Sequence, residues 1–379
     1  MTMNPNLTYE QAVDALRIHY DTTDLITSRP QSHLMVSANL QTFLPNLPAA
    51  DYNRFFADIL YYQHLAGMDE KIVTKAAELV ITGDADGLWD AAAGKPTIFC
   101  TCHLGSYRLL GLLLTRLGLK FSLLIDTNTF QKQGDKFLRI QREAAALFNQ
   151  PNADMALIDA EQPSAGIQLI RALKQGRILI AYLDGNTGAG GVTRQDDKLV
   201  GIDFLGKPLL ARKGIAFLSV ATQAPIVPIF AYRPDAYTNA VQVFAPITPT
   251  ETPAAEREAV CASITQRLYD DFATTLRQYP SQWEGWLYVQ KYLDLNRLRA
   301  TYPATNAPAV TDKTDWFFNH TRYANVPDGN TTVLFDKHLY RSFRVTRQLG
   351  ELLNTPHFRL DAIRKPELID MLVGQAIVC

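Results

Sequence analysis

PTIFCTCHLGSYRLLG, residues 96–111, carries the densest chemistry in the chain, and its reading decides the fold. The apolar run 97–102 reads as a strand that delivers Cys102 and His103 to its C-terminal end. Gly105 then permits a tight turn, and Ser106 suits the cap of a helix over 106–117. Ligand sites in open α/β sheets lie at such strand ends. A histidine there, with an unperturbed pKa near ~6.5, can take a proton from an attacking hydroxyl or amine at neutral pH. The same position also suits a ring that only caps or packs.

Outward from this run, further short apolar segments at 120–126, 155–159, 177–184 and 226–232 read as strands. Helix-length segments separate them at 130–148, 165–174 and 209–221, with longer helices expected over 254–277 and 282–298. The pattern predicts an α/β unit, a mixed, mostly parallel sheet covered by helices, over 95–299. Residues 1–94 repeat apolar positions at helical spacing, as in 9–19, 52–65 and 71–81, and read as a helical lead-in. The stretch 300–314, with Pro303 and Pro308, reads as a linker. Residues 315–379 read as a small α+β module with strands at 331–335 and 339–343 and helices at 345–353 and 367–373. This module is similar to winged-helix peptide-recognition modules of natural-product pathways, and a docking or dimerisation element is the plainer reading.

The chain of 379 residues is 47% hydrophobic and 20% charged, a globular composition large enough for an enzyme core and an appendage. Lys plus Arg number 37 against 38 acids, so no net field draws it to nucleic acid or an anionic membrane. Cys100, Cys102, Cys261 and Cys379 are scattered unlike a disulfide framework or paired zinc knuckles, which suits a reducing, cytoplasmic setting. Residues 1–16 show no basic region followed by an apolar stretch. No run reaches the ~18 apolar residues of a spanning helix, which leaves peripheral membrane contact open.

Four blocks in order resemble the lysophospholipid acyltransferase superfamily, specifically its lipid A (lauroyl/myristoyl) acyltransferase branch. HLGSYR (103–108) resembles the histidine block. ALKQGRILIAYLDGNTGAGG (172–191) resembles the strand that ends in Asp before a Gly-containing loop. IDFLGKPLLARKGIAFLSVATQAPIVPIFAYR (202–233) resembles the Phe-x-Gly loop, helix and Pro-flanked strand ending in Arg. YPSQWEGW (279–286) resembles the closing Pro-x-x-Trp signature. The resemblance covers roughly 90–295. It implies an acyltransferase with an acyl-CoA or acyl carrier protein donor, no metal and no organic cofactor. The family's membrane members carry an N-terminal apolar anchor that residues 1–16 do not resemble. The expected acceptor is therefore a soluble amine or hydroxyl, on a peptide, amino acid or natural-product intermediate, with a lipid acceptor at the membrane surface as the alternative.

One position departs from the family. Where an Asp or Glu follows the His by five residues, this chain has Arg108, a cation that opposes imidazolium formation. Either another carboxylate orients His103, with Asp184 first and Asp126 or Asp159 behind it, or His103 acts without an acid, or the site only binds. In the first case His103 and Asp184 form the catalytic pair, and Arg108 is free to hold an anionic acceptor. Backbone N–H groups near Gly105 or in the loop 185–191 are expected to serve the oxyanion. Gly105, Ser106, Asn186 and Arg233 complete the expected substrate contacts. Lys207 and Arg212, with Lys213 nearby, are expected to meet a donor phosphate or an acidic carrier-protein helix, and the leucines of 106–117 to wall an acyl groove. Two other readings compete: a Cys100 or Cys102 thiol nucleophile, and a metal site on Cys-x-Cys-His.

Overall fold

Alternation along the first strand sets the layers: Ile98, Cys100 and Cys102 enter one core, while Phe99 enters another on the opposite face. In the computed structural model, which describes residues 7–185, 198–251, 253–302, 315–360, 363 and 365–379, this strand lies at the centre of a sheet. In chain order the elements before it are α1 (Tyr9–Thr22), α2 (Leu25–Ser28), α3 (Pro30–Phe43), α4 (Tyr52–Asp69), β1 (Val80–Gly83) and α5 (Asp86–Ala92). The core continues with β2 (Ile98–Thr101), α6 (Leu109–Arg116), β3 (Lys120–Ile125), α7 (Thr127–Leu147), β4 (Asp154–Asp159), α8 (Ala165–Lys174) and β5 (Ile178–Tyr182). After these come β6 (Leu199–Phe204), β7 (Lys207–Arg212), α9 (Gly214–Thr222), β8 (Ile226–Tyr232), β9 (Ala240–Val243), α10 (Arg257–Gln278) and α11 (Leu295–Ala300). The C-terminal elements are β10 (Tyr323–Asp328), β11 (Thr331–Asp336), β12 (Arg341–Thr346), α12 (Arg347–Leu353) and α13 (Pro366–Gly374).

The main sheet runs β1-β9-β8-β2-β5-β3-β4, parallel throughout except where β8 meets β9. This is the mixed, mostly parallel α/β sheet that the sequence predicts. Helices α3, α4, α9 and α10 close one face around Leu40, Phe56, Leu218 and Phe272; α6 and α7 close the other around Leu113, Phe121 and Ile140. The N-terminal helices therefore share a core with the sheet.

Four expectations give way. Residues 71–81 are not a helix: α4 ends at Asp69, a 3-10 turn covers Val73–Ala76, and Val80–Gly83 pairs with β9. The β-branched Val80, Ile81 and Thr82 satisfy a sheet edge better than a helix. The helix expected over 209–221 begins only at Gly214, because 199–212 forms the hairpin β6–β7. Leu205 and Gly206 turn that hairpin with φ of 51° and 76°, the geometry of a two-residue loop. Residues 282–298 break into 3-10 turns and the short α11, since Trp283 and Trp286 both turn into the same core, their rings 4.9 Å apart. The C-terminal sheet has three strands where two are expected, and its first strand includes Pro327. Of the linker, 303–314 lies outside the described residues.

Candidate active site

Register brings the two chemical groups together. Thr101 on β2 pairs with Tyr182 on β5 in a parallel ladder, so two residues further along each chain His103 and Asp184 leave the sheet side by side. The His103 ring Nδ1 lies 2.9 Å from Asp184 Oδ1, and the His103 backbone N–H donates to Asp184 Oδ2 at 3.0 Å. Trp283 Nε1 donates to the same Oδ2 at 2.7 Å. Asp184 is buried while the His103 side chain keeps 23% of its surface exposed. With Nδ1 committed to the carboxylate, Nε2 is the ring nitrogen left for a substrate.

Tyr182 stacks on the imidazole at 4.6 Å between centroids, and Tyr107 meets it edge-on at 4.7 Å. Burial opposes the charged ring, but the charge and hydrogen bond of Asp184 outweigh it and raise the His103 pKa above its ordinary value. Burial likewise pushes the Asp184 carboxyl up, and the contacts with His103 and Trp283 more than reverse this and hold it low. The pair is thus ionised together at pH values between the two shifted pKa values. Its contribution to stability is lost as pH rises through the His103 value or falls through the Asp184 value.

Arg108 does not confront this pair uncompensated. Its Nη1 lies 3.0 Å from the buried Glu70 carboxylate, its Nε donates to the Tyr107 hydroxyl at 3.2 Å, and Lys136 Nζ reaches Glu70 at 2.5 Å. Two cations thus surround this one acid. A cavity of about 1020 Å³ opens beside it, at the upper end of the ~300–1,000 Å³ typical of small-molecule sites, and Glu284 lines it as a further acid. His103, Asp184, Arg108, Gly185 and Arg212 line it, and its wall is largely apolar, with Leu110, Leu112, Phe121, Phe137, Leu169 and Leu218 among the contributors.

Other expected residues stand elsewhere. Arg233 is fully buried, its Nη1 2.6 Å from Asp69 and 2.8 Å from Asn239 Oδ1, and Ser106 Oγ donates to Asp69 at 2.5 Å. Both belong to a closed network behind the turn and do not line the cavity. Lys207 also lies outside the lining, and Lys213 is paired with Glu258. Asp126 caps α7 and Asp159 is held by Thr127 and Gln162, so neither touches His103. Asn186 and most of the glycine-rich loop lie outside the described residues.

Gly105 acts through geometry. Its φ is +54°, and a Cβ there would sit 2.8 Å from Tyr232 Cα and 3.0 Å from Ala231 O, backbone atoms that cannot yield. Its N–H donates to Gln282 O at 3.2 Å and that of Leu104 to Cys102 O at 2.8 Å, so these amides are not free for an oxyanion. Gly105→Ala is expected to lower unfolding stability by roughly 1–3 kcal/mol. Urea titration measures this, and an unchanged midpoint would remove the steric account.

The thiol reading loses its nucleophile. Cys100 and Cys102 are buried in the core, and burial pushes both thiols up, away from the thiolate. Among the described residues no cluster of three or more His, Cys, Asp or Glu is placed to hold a metal. No described helix is long and apolar enough to cross a membrane.

Sequence reasoning did not find Glu70 or the role of Trp283. Trp283 belongs to the closing block and so carried a signal; Glu70, at the end of α4, carried none. No curated protein matches the chain. The family model for bacterial lipid A biosynthesis acyltransferases matches residues 50–291, a span that begins before α4 and ends just after the Trp283–Trp286 turns. That span contains both members of the His–Asp pair and every residue that lines the cavity, and the chain belongs to the bacterial lipid A biosynthesis acyltransferase family: it is an acyltransferase.

Proposed function

We propose that the protein moves an acyl group from an acyl-CoA or acyl carrier protein thioester to an amine or hydroxyl of a soluble peptide, amino acid or natural-product intermediate. His103 is the general base, and no cofactor takes part. The observation that carries the reading is the Asp184-held imidazole at the edge of a large, mostly apolar cavity. His103 Nε2 takes the acceptor proton as the acceptor attacks the thioester carbonyl. The tetrahedral intermediate collapses, the C–S bond breaks, and the leaving thiolate recovers the proton from the imidazolium. Asp184 fixes the ring's orientation and stabilises its charged form, the task that the residue at Arg108 serves elsewhere in the family.

Arg108 supplies positive charge in the cavity lining for an anionic group on the acceptor, and Arg212 lines the cavity where a donor phosphate would approach. A purely binding role drew its motive from Arg108, and the Glu70 contact removes that motive. Four free cysteines, three of them buried, suit a cytoplasmic setting.

An apolar groove makes affinity depend on chain length. Each added methylene is worth ~0.8 kcal/mol, so donor KM is expected to fall about threefold to fourfold per methylene until the groove is full. Kinetics over a homologous acyl-CoA series measure this, and a flat series would contradict an acyl-binding cavity. The reaction itself is tested by incubating peptide, amino acid and hydroxylated acceptors with acyl-CoA and acyl-carrier donors and weighing the acceptors intact. A mass increment equal to the acyl group is expected; free acid alone, with every acceptor unmodified, would overturn the reading.

A further inference from the structure

The turn that follows α10 is tied to the catalytic histidine. Trp283 donates to Asp184, Leu104 and Trp283 form a β-bridge, and the backbone N–H of Glu284 donates to His103 O at 3.0 Å. The Glu284 side chain is half-buried and lines the cavity together with His103, Tyr107 and Tyr288. Its charge reaches the ring: burial lowers the His103 pKa, Asp184 raises it, and Glu284 adds to the rise.

Neighbouring acids are occupied. Asp184 is held by His103 and Trp283, Glu70 by Arg108 and Lys136, and Asp126 by Thr129. Among the described residues, the Glu284 carboxylate meets no hydrogen-bond donor and no cation at ion-pair distance. A half-buried carboxylate without a donor is costly to keep, so a cation that enters the cavity gains by neutralising it. A hydroxyl offers it one donor and no charge. An ammonium offers three donors and a full charge, and Tyr107 and Tyr288 line the same space with aromatic rings of the kind that attract cations. The ionised groups of an acyl-CoA are phosphates, so the cation that fits here belongs to the acceptor.

We propose that Glu284 binds the acceptor and selects a primary amine, received as its ammonium ion, over a hydroxyl. This rests on the reading of His103 as the base for an amine or hydroxyl acceptor, and it narrows that acceptor to an amine. The ammonium releases one proton to water before it attacks, because only the neutral amine has a lone pair to give. The nitrogen then bonds to the thioester carbon, its second proton passes to His103 Nε2, the C–S bond breaks, and the leaving thiolate takes that proton. The products are an amide, a thiol and the one proton lost at the start. Since that first proton must leave near neutral pH, an α-amine of ordinary pKa ~7.7–8.0 suits the site better than a lysine near ~10.4.

Leucinamide and 2-hydroxy-4-methylpentanamide are matched probes that differ only in amine against hydroxyl. The full-length protein without donor is expected to bind leucinamide at least about tenfold more tightly at neutral pH, measured by titration calorimetry. Glu284→Gln is expected to remove that preference by weakening leucinamide alone, with its unfolding midpoint retained, and Glu284→Asp to recover part of it. With an acyl-CoA donor, Glu284→Gln is expected to raise the KM for leucinamide about tenfold while kcat stays within about threefold, a split that a residue acting only through His103 would not give. If neither probe is acylated while Glu284-dependent binding persists, the acyl-transfer reading falls and the amine site stands. If the hydroxyl probe is acylated in preference, transfer stands and the amine site falls. Equal affinity for the two probes, no binding of either, or a preference untouched by Glu284→Gln would overturn the proposal.

Discussion

Asp184→Asn is expected to lower kcat/KM for acyl transfer by about 100- to 10,000-fold with little change in fold, because it removes the charge that orients His103 and stabilises its protonated form. The pH profile carries the mechanism. In the unaltered protein the His103 pKa is raised, so the rate climbs with pH through an inflection above the ordinary histidine value as the base loses its proton. Without the carboxylate, burial is the dominant influence that remains, and it favours the neutral ring. The residual activity of the variant should therefore rise at lower pH than in the unaltered protein. A variant that kept its inflection would show that Asp184 packs beside the histidine without controlling its proton.

The largest effect on stability is expected behind the site. Arg233 and Asp69 are both fully buried, 2.6 Å apart, and joined by Tyr9, Ser106 and Asn239. Arg233→Met strands the Asp69 carboxylate in the interior, which costs about 3–5 kcal/mol when one partner of a buried pair is removed. Chemical denaturation measures it. A loss below about 1 kcal/mol would mean that the neutral donors alone satisfy Asp69. This network explains why Arg233, at the end of an apolar strand, reads in sequence like a substrate contact: position alone does not say which way a strand-end side chain turns. It anchors α1 and α4 to the sheet and leaves the cavity to other cations.

The sheet was legible where strands are buried on both faces, since β2, β5 and β8 are continuous apolar runs bounded by turns. β1 and β9, four residues each with polar members such as Thr82 and Gln242, carry too short a pattern, and the helical periodicity of 71–81 outweighed it. The tryptophan-rich stretch after α10 reads as helix by composition, yet both indoles turn into one core with their rings 4.9 Å apart, and 3-10 turns accommodate that. Within the site, His103 and Asp184 were legible as strand ends and became a pair through register. Glu70 was not, because its contact with Arg108 spans two elements that no local pattern connects.

The central claim is that one imidazole takes the acceptor's proton, and His103→Ala tests it most directly. Thiol release from an acyl-CoA in the presence of acceptor, followed in a single turnover at saturating donor, isolates the chemical step. The account predicts a fall of about 100- to 10,000-fold with donor affinity preserved, since the apolar wall that binds the acyl chain does not include the ring's reactive nitrogen. Release at the unaltered rate by a folded His103→Ala protein would contradict it.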